Sequence, residues 1–285
     1  MKYKVLILGW KIDNWLQSKA SVNALSYNLY LAFQKLDNVE VYYCNKSEKE
    51  LPEADFVIII IYKGDNIDYY YIREKTGCKK IVSFRETRFA ELDFSFIFNS
   101  HFNNIDTEYI PFPYNAELLK PTVKEKNTIL IDHYWEDYLG TKNDLTFRIE
   151  EWLTEIKDDY KIYRMIRFTG EEETIKSFEI PIFYSDYLNY LKVTERIENY
   201  IITHKECYPH SVTDMVARGT RILTPTDFIP GCMQNALQVP IFNNKDEFLS
   251  IIKSSVGEEW SEKYKHCTDY NDVVKIIDNK FKSWL

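Results

Sequence analysis

The sequence predicts an α/β protein made of two domains, each built around a parallel β-sheet. Short apolar runs rich in β-branched residues alternate with amphipathic segments of helical period, which is typical of β-α-β units. At 285 residues the chain is long enough for two domains that each bury a core. A stretch at 109–121 contains three of the nine prolines and separates two such series. The predicted organisation is therefore 1–115, 116–269 and a terminal helix at 270–285.

The first series opens with a buried strand at 3–8 that ends at Gly9. Gly9 stands alone, so the G-x-G-x-x-G fingerprint of dinucleotide sites is missing. The run at 56–61 is apolar throughout, which predicts a central strand covered on both faces. The predicted strands are 3–8, 39–43, 56–61, 80–84 and 94–98, and the predicted helices are 21–36 and 66–76.

The second series repeats the alternation. Its predicted strands are 128–132, 160–166, 180–184, 200–203 and 221–223, with an edge strand at 239–242. Its predicted helices are 144–156, 185–196, 211–218, 227–235, 245–254, 258–264 and 270–284. This pattern again indicates a parallel sheet, and such sheets bind ligands at the carboxyl ends of their strands.

Composition restricts the class of protein. The net charge of −8 argues against a general electrostatic footprint for nucleic acid or an anionic membrane. Five cysteines without a C-x-x-C pair indicate reduced thiols, and we expect a cytoplasmic location. The longest apolar run, 56–62, is far short of the roughly 20 residues that span a bilayer, and no signal peptide is expected.

The stretch from Tyr200 to Thr224 has the most informative sequence. It reads as a strand, a polar loop with His204 and Glu206, a helix opened at Ser211 and a second strand. Asp214, three residues after Ser211, approximates a capping box. The amides of Ser211 and Val212, with His210 beside them, would face the loop and could hold an anionic diphosphate.

This segment resembles the donor-binding signature of GT-B glycosyltransferases, especially the retaining nucleotide-sugar enzymes with an E-x7-E motif. Glu206 and Asp214 stand at that spacing, and 214–222 follows the family's helix-and-strand pattern. The resemblance implies two Rossmann-like domains facing a cleft. It also implies that Glu206 lies by the transferred sugar and that Asp214 binds the ribose. The chain departs from the family in having Asp for the second Glu and Cys-Tyr-Pro-His at 207–210; Asp214 could instead only cap the helix.

Other polar residues follow predicted strands. The resemblance points to Lys142 as a phosphate ligand, with Arg167 and His133 as further donor-binding candidates. Asp13 is placed where inverting members have their base; in that case Glu206 binds and does not act chemically. Candidate acceptor ligands are Trp15, Glu86 and Arg88. Lys142 could also be an exposed loop lysine, Glu86 and Arg88 could belong to a solvated loop, and His133 could be a structural hydrogen bonder.

The resemblance implies a hexosyl- or pentosyltransferase that uses a nucleotide-diphosphate sugar, expected to be UDP-linked, with no other cofactor. No D-x-D follows a strand, which fits a metal-independent reaction. Small molecules or glycans are the expected acceptors. Two alternatives stay open. One is a phage-type DNA glycosyltransferase acting on hydroxymethylated bases, which the acidic composition disfavours. The other is a nucleotide-binding α/β protein without catalysis.

Overall fold

The structure is a computed structural model, and it describes residues 2–10, 21–60, 66–85, 92–97, 107–110, 112–131, 149, 151–166, 175–183, 185–203, 210–226, 240–254 and 267–285. The chain divides into two compact units. The first comprises Met1–Asn115 together with Thr268–Leu285, and the second comprises Ala116–Cys267.

The first unit contains a six-stranded parallel sheet of order β2-β1-β3-β4-β5-β6. Its strands are β1 (Tyr3–Gly9), β2 (Val39–Asn45), β3 (Phe56–Ile59), β4 (Lys80–Arg85), β5 (Phe94–Ile97) and β6 (Thr107–Tyr109). The helices described before residue 115 are α1 (Ser21–Phe33) and α2 (Tyr69–Thr76). All four residues of β3 are fully buried, as the uniformly apolar run predicted.

The second unit contains another six-stranded parallel sheet, of order β10-β9-β8-β11-β12-β13. A strand β7 (Phe112–Tyr114) precedes it, still within the first unit. The strands of the sheet are β8 (Thr128–Ile131), β9 (Lys161–Ile166), β10 (Glu179–Phe183), β11 (Asn199–Ile201), β12 (Arg221–Pro225) and β13 (Ile241–Phe242). Its helices are α3 (Tyr187–Thr194), α4 (His210–Ala217) and α5 (Lys245–Lys253). Residues 149 and 151–153 are also helical.

The C-terminal segment packs on the first unit. Strand β14 (Cys267–Asp269) pairs with β7, and α6 (Tyr270–Lys282) follows it directly. The ring of Phe281 in α6 stacks on Phe56 of β3 with the centroids 4.2 Å apart. The hydroxyl of Tyr3 in β1 donates a hydrogen bond of 2.6 Å to Asp278. A buried aromatic stack and a buried hydrogen bond therefore hold α6 against the centre of the first sheet.

Several predicted boundaries differ from the structure. Helix α1 ends at Phe33 and not at 36, and α2 begins at Tyr69 because Asp68 caps it by accepting a hydrogen bond from the Tyr71 amide. The three-residue strands β6 and β14 were not predicted, since so short a run has no clear period. The predicted helices at 227–235 and 258–264 lie outside the described residues. Within the described ranges no helix has the length and apolar character needed to cross a membrane.

Candidate functional site

The strand orders define one switch point in each sheet. In the first unit the chain passes from β1 to β2 on one side and then to β3 on the other, so the crevice opens between β1 and β3. In the second unit the corresponding reversal lies between β8 and β11. Ligands of open α/β sheets bind outside the carboxyl ends of the strands at such points. The segments after β1, β3, β8 and β11 are therefore the candidate site regions.

Eight of the residues predicted for the site follow strands of the two sheets. Asp13 and Trp15 follow β1, His133 and Lys142 follow β8, Glu206 follows β11, Arg167 follows β9, and Glu86 and Arg88 follow β4. These eight residues lie outside the described residues. The fold thus places five of them after a strand that borders a switch point, and their side-chain positions stay predictions.

Helix α4 begins at the carboxyl side of β11, at the switch point of the second sheet. It starts at His210, whose side chain is outside the described part of the chain. Ser211 Oγ is 3.0 Å from the hydroxyl of Tyr200 on β11. The side chain of Val212 is fully buried, so only its backbone amide is suited to a ligand. The first-turn amides lack partners within the helix, and this helix start has the polarity that an anion requires.

The other end of α4 is fixed by a Schellman motif. Gly219 adopts a left-handed conformation with φ of 76°. The amide of Thr220 donates to the Met215 carbonyl at 2.9 Å, and the Gly219 amide donates to the Val216 carbonyl at 2.9 Å. These bonds satisfy the last carbonyls of the helix, and the chain turns directly into β12. The glycine stop that the sequence predicted is thus confirmed.

Asp214 is held inside the second unit by an aromatic residue of α3. Its Oδ2 accepts a hydrogen bond of 3.0 Å from the hydroxyl of Tyr187, and both side chains are 5% exposed. Burial raises the pKa of Asp214 to about 7, while the Tyr187 hydroxyl and the positive charge of Arg218 act in the opposite direction. The predicted capping box is wrong, because the helix already includes Ser211 and the Asp214 carboxylate pairs with Tyr187. Nothing in the local sequence pattern identified Tyr187.

At the switch point of the first unit, Gly9 makes room for a tyrosine. A Cβ atom added at Gly9 would lie 2.0 Å from the Tyr43 hydroxyl. That hydroxyl donates to the Trp10 carbonyl at 2.8 Å and lies 3.0 Å from Ser26 Oγ. Burial raises the pKa of Tyr43 to about 12, so the phenol stays protonated and donates. The glycine therefore serves a close side-chain approach and is not the first glycine of a phosphate loop.

Among the described residues, no three His, Cys, Asp or Glu side chains come together in a way that would hold a metal ion. The candidate donor ligands in the described part of α4 are a hydroxyl, backbone amides and one carboxylate. This set suits hydrogen bonds to an anion and to hydroxyl groups. The metal-independent reaction stays a prediction.

Comparison with known proteins identifies the fold. The sequence matches no model of a protein family and no curated protein. Its structure is similar to a glycosyltransferase from Rickettsia africae at a TM-score of 0.67 and 10% identity, covering 99% of this chain and 98% of that one. It is similar to HepE from Anabaena, solved with UDP-glucose, at a TM-score of 0.64 and 8% identity, covering 99% and 100%. A UDP-GlcNAc 2-epimerase from Methanocaldococcus jannaschii gives 0.59 and 11%, covering 98% and 100%.

The fold class of this protein therefore follows from the architecture of its two sheets. The chain is an α/β protein of two Rossmann-like units with the GT-B fold, and the predicted fold class is confirmed. At these identities the likeness shows the fold alone. Because proteins that share a fold can differ in activity, the function has to be argued from the site.

Proposed function

We propose that this protein is a glycosyltransferase that moves a sugar from a nucleotide-diphosphate sugar to a small-molecule or glycan acceptor. The observation that supports it most is the start of α4 at the carboxyl side of β11, beside the switch point of the second sheet. The segment 204–209 between them contains Glu206, the first acid of the E-x7-E spacing. The sequence resemblance and the topology therefore point to the same segment.

In this proposal the second unit binds the donor. The amides of Ser211 and Val212 bind the diphosphate at the start of α4, and His210, Lys142, Arg167 and His133 add positive charge or hydrogen bonds. Asp214 binds the ribose and Glu206 lies by the transferred sugar. A UDP-linked donor is supported by the HepE structure, whose bound molecule is UDP-glucose. The leaving diphosphate is stabilised by these groups without a metal ion.

The first unit supplies the acceptor side. Trp15, Glu86 and Arg88 bind the acceptor in this proposal, and Asp13 is the base if the reaction inverts the anomeric centre. Asp13 and Trp15 both follow β1, which borders the switch point of that sheet. A carboxylate there can accept the proton that the acceptor hydroxyl loses as it attacks the sugar.

Thermal shift with a panel of nucleotides tests donor binding. We expect UDP and one or more UDP-sugars to raise the melting temperature of the full chain, since a ligand that binds only the native state stabilises it. The Glu206→Gln variant should keep the shift with UDP and lose turnover of the matching sugar nucleotide. Glu151→Gln, an exposed carboxylate on the same unit, is the control and should behave as the parent. Absence of any shift across the panel would contradict the proposal.

NMR of the reaction mixture separates three outcomes. Transfer or slow hydrolysis releases the nucleotide diphosphate and supports a transferase. Conversion of UDP-GlcNAc into its 2-epimer would instead favour the activity named for the Methanocaldococcus protein. Binding without any chemical change would favour a non-catalytic nucleotide-binding protein.

The DNA alternative has its own test. The net charge of −8 disfavours a groove that neutralises several phosphates. Gel shift of hydroxymethylated duplex DNA at low salt should therefore show no complex with this protein. A salt-sensitive complex would instead favour the DNA glycosyltransferase alternative.

A further inference from the structure

A partly buried lysine of the second unit, Lys124, lies at the edge of the sheet opposite the proposed donor site. Lys124 precedes β8, and the groups around it belong to Glu195, which precedes β11, and to Arg218, which precedes β12. These three strands are parallel neighbours, so their amino ends meet at one edge of the sheet. The segments after β8 and β11, where the donor is proposed to bind, leave from the other edge.

The backbone on both sides of Lys124 is anchored. The Thr122 amide donates to the Arg218 carbonyl at 3.2 Å, and the Glu125 amide donates to the Arg196 carbonyl at 2.9 Å. The segment is thereby attached to the residues that follow α4 and α3. The lysine side chain therefore extends from a fixed position.

The hydrogen bonds of Lys124 orient its amine. Nζ donates to Thr122 Oγ1 at 2.9 Å and to the Glu195 carbonyl at 3.2 Å. The Thr122 hydroxyl itself donates to the Glu195 carbonyl, so its oxygen can only accept from the lysine. A neutral amine has two N–H bonds and one lone pair, and these two acceptors use both N–H bonds. The lone pair, which is the part of an amine that attacks an electrophile, therefore points away from both acceptors.

The charges around Lys124 favour the neutral amine. Burial and the positive charge of Arg218 lower the pKa of Lys124 to about 7, while the charge of Glu195 acts in the opposite direction. Among the described residues, no carboxylate forms an ion pair with Lys124 or with Arg218. Arg218 is 6% exposed, its guanidinium donates to the Leu191 carbonyl, and its charge also acts on the buried Asp214. The same positive field that disfavours an ammonium here stabilises an anion attached to this nitrogen.

We propose that Lys124 is a modification site at which dissolved carbon dioxide forms a carbamate. The lone pair of the neutral amine attacks the carbon of CO2, a C–N bond forms, and one C=O bond pair moves onto oxygen. The nitrogen then releases one proton to water, so the amine and CO2 give a carbamate anion and a proton without any oxidant or reductant. The N–H that remains donates to Thr122 Oγ1, the Thr122 hydroxyl still donates to the Glu195 carbonyl, and Arg218 stabilises the new charge.

The reaction selects this lysine near neutral pH. At pH 8 an amine with a pKa of about 7 is roughly nine-tenths neutral, whereas an ordinary lysine with a pKa of about 10.4 is neutral in fewer than about 1% of molecules. The bond from Lys124 to the Glu195 carbonyl lies at the protein surface, within reach of a small dissolved molecule. An α-amino group has an ordinary pKa of about 8 and reacts as well, so the amino terminus of the tested protein is an internal positive control.

Trapping of the carbamate tests the proposal on the full chain. The protein is equilibrated with isotopically labelled bicarbonate at about pH 8, alkylated with triethyloxonium to make carbamates permanent, and mapped by peptide mass spectrometry. We expect Lys124 to have at least about tenfold the label of the exposed Lys126. Lys124→Arg should abolish the label at this position, and the matched control Lys126→Arg should leave it unchanged. Label at the α-amino group without any at Lys124 would overturn the proposal.

The pH profile tests the influence of the surroundings. At constant dissolved CO2, half-occupancy of Lys124 should fall about one pH unit or more below that of Lys126, because only a neutral amine reacts. Equal midpoints for the two lysines would contradict the argument. Arg218→Met should lower the occupancy of Lys124 about fivefold or more, since the anion loses its counter-charge. If this buried position does not tolerate the change, the profile of the parent protein decides.

Discussion

The hydroxyl of Tyr187 donates a hydrogen bond to Asp214 across 3.0 Å in the interior of the second unit, although 27 residues separate them in the sequence. Burial raises the pKa of Asp214 from 3.8 to about 7. Tyr187 and Arg218 favour the ionised form, but their effect is smaller than that of burial. Asp214 is therefore costly to ionise where it lies, and this cost sets a pH dependence of stability.

We expect stability to fall as the pH rises from about 4 to 7. Over this window the native state keeps the Asp214 proton and the unfolded state has lost it, so the free energy of unfolding decreases, by up to about 4 kcal/mol. Asp214→Asn cannot titrate and should lose this slope in urea titrations. Asp246→Asn, at an exposed position, should retain it. Tyr187→Phe removes a bond that favours the ionised form, so the window should extend to higher pH.

A second pH dependence, of opposite sign, comes from Lys124. Burial and the nearby charge of Arg218 lower the pKa of this lysine from 10.5 to about 7. Its ammonium donates to Thr122 Oγ1 at 2.9 Å and to the Glu195 carbonyl at 3.2 Å. Between about pH 7 and 10 the unfolded state binds the proton and the native state does not, so stability should rise with pH.

The Lys124→Met variant should show no such rise in urea titrations across the same window. The Thr122 hydroxyl still bonds the Glu195 carbonyl in this variant, so no acceptor is left bare. The exposed neighbour provides the control, and Lys126→Met should keep the parent's slope. A slope that persists in Lys124→Met would assign the effect to another group.

Arg221 of the second sheet should be highly sensitive to substitution. It is 1% exposed, and its guanidinium donates to Asn199 Oδ1 at 2.7 Å, to Ser254 Oγ at 3.0 Å and to the Ile252 carbonyl at 3.0 Å. Arg221→Met removes the guanidinium donor from Asn199 Oδ1 and Ser254 Oγ, while the Ile252 carbonyl keeps a hydrogen bond of 2.9 Å from the Tyr160 hydroxyl. We expect a loss of about 3 kcal/mol or more in unfolding free energy.

Lysine at this position should not restore stability, because a single ammonium cannot reach acceptors spread along the guanidinium plane. Arg221→Lys is therefore expected to melt close to Arg221→Met. The exposed Arg196→Met is the control and should cost well under 1 kcal/mol. Calorimetry of the three variants checks the order, and a fully stable lysine variant would contradict the argument.

Gly9 and Tyr43 should be energetically coupled. Gly9→Ala places a methyl group 2.0 Å from the Tyr43 hydroxyl oxygen, so we expect a loss of about 2 kcal/mol or more. Tyr43→Phe removes that oxygen and costs a smaller amount, chiefly the bond to the Trp10 carbonyl. The double variant should be more stable than the sum of the two losses predicts, and a double-mutant cycle from urea titrations measures the difference. Strict additivity would mean that the loss comes from the contacts that Tyr43→Phe leaves in place, at 2.7 Å from Tyr43 Cζ and 2.9 Å from Ser26 Cβ.

Much of the first sheet could be predicted from the local pattern. The apolar run at 56–59 forms β3 between β1 and β4. The alternation of strands and helices predicted that neighbouring strands run parallel, as they do. The predicted end of a helix is wrong where apolar residues at helical spacing continue past the last helical residue. Leu36, three residues beyond the end of α1 at Phe33, is an example. The side chain of Asp68 sets the start of α2, and a single capping residue in a polar stretch gives no periodic signal.

The candidate site was predictable in part. The spacing of Glu206 and Asp214 and the glycine that ends α4 can be read along the chain. The partner of Asp214 could not be read, since Tyr187 belongs to another helix and no periodicity links the two. The contact of the Lys46 ammonium with the Trp10 ring, 4.7 Å from its centroid, could not be read from the sequence either, because it exists only through the pairing of β1 with β2.

The sequence by itself determined the class of fold, the succession of elements and the loop in which a donor site is expected, since these depend on hydrophobic period and turn residues that act locally. Only the tertiary structure decided that Asp214 is buried against Tyr187 and that the Tyr43 hydroxyl fills the space beside Gly9. It also decided that the Lys46 ammonium lies over the Trp10 ring. Burial and hydrogen bonding depend on which distant strands and helices become neighbours. Those neighbours set the pKa of a carboxylate and the chemistry of a strand end, which no local pattern records.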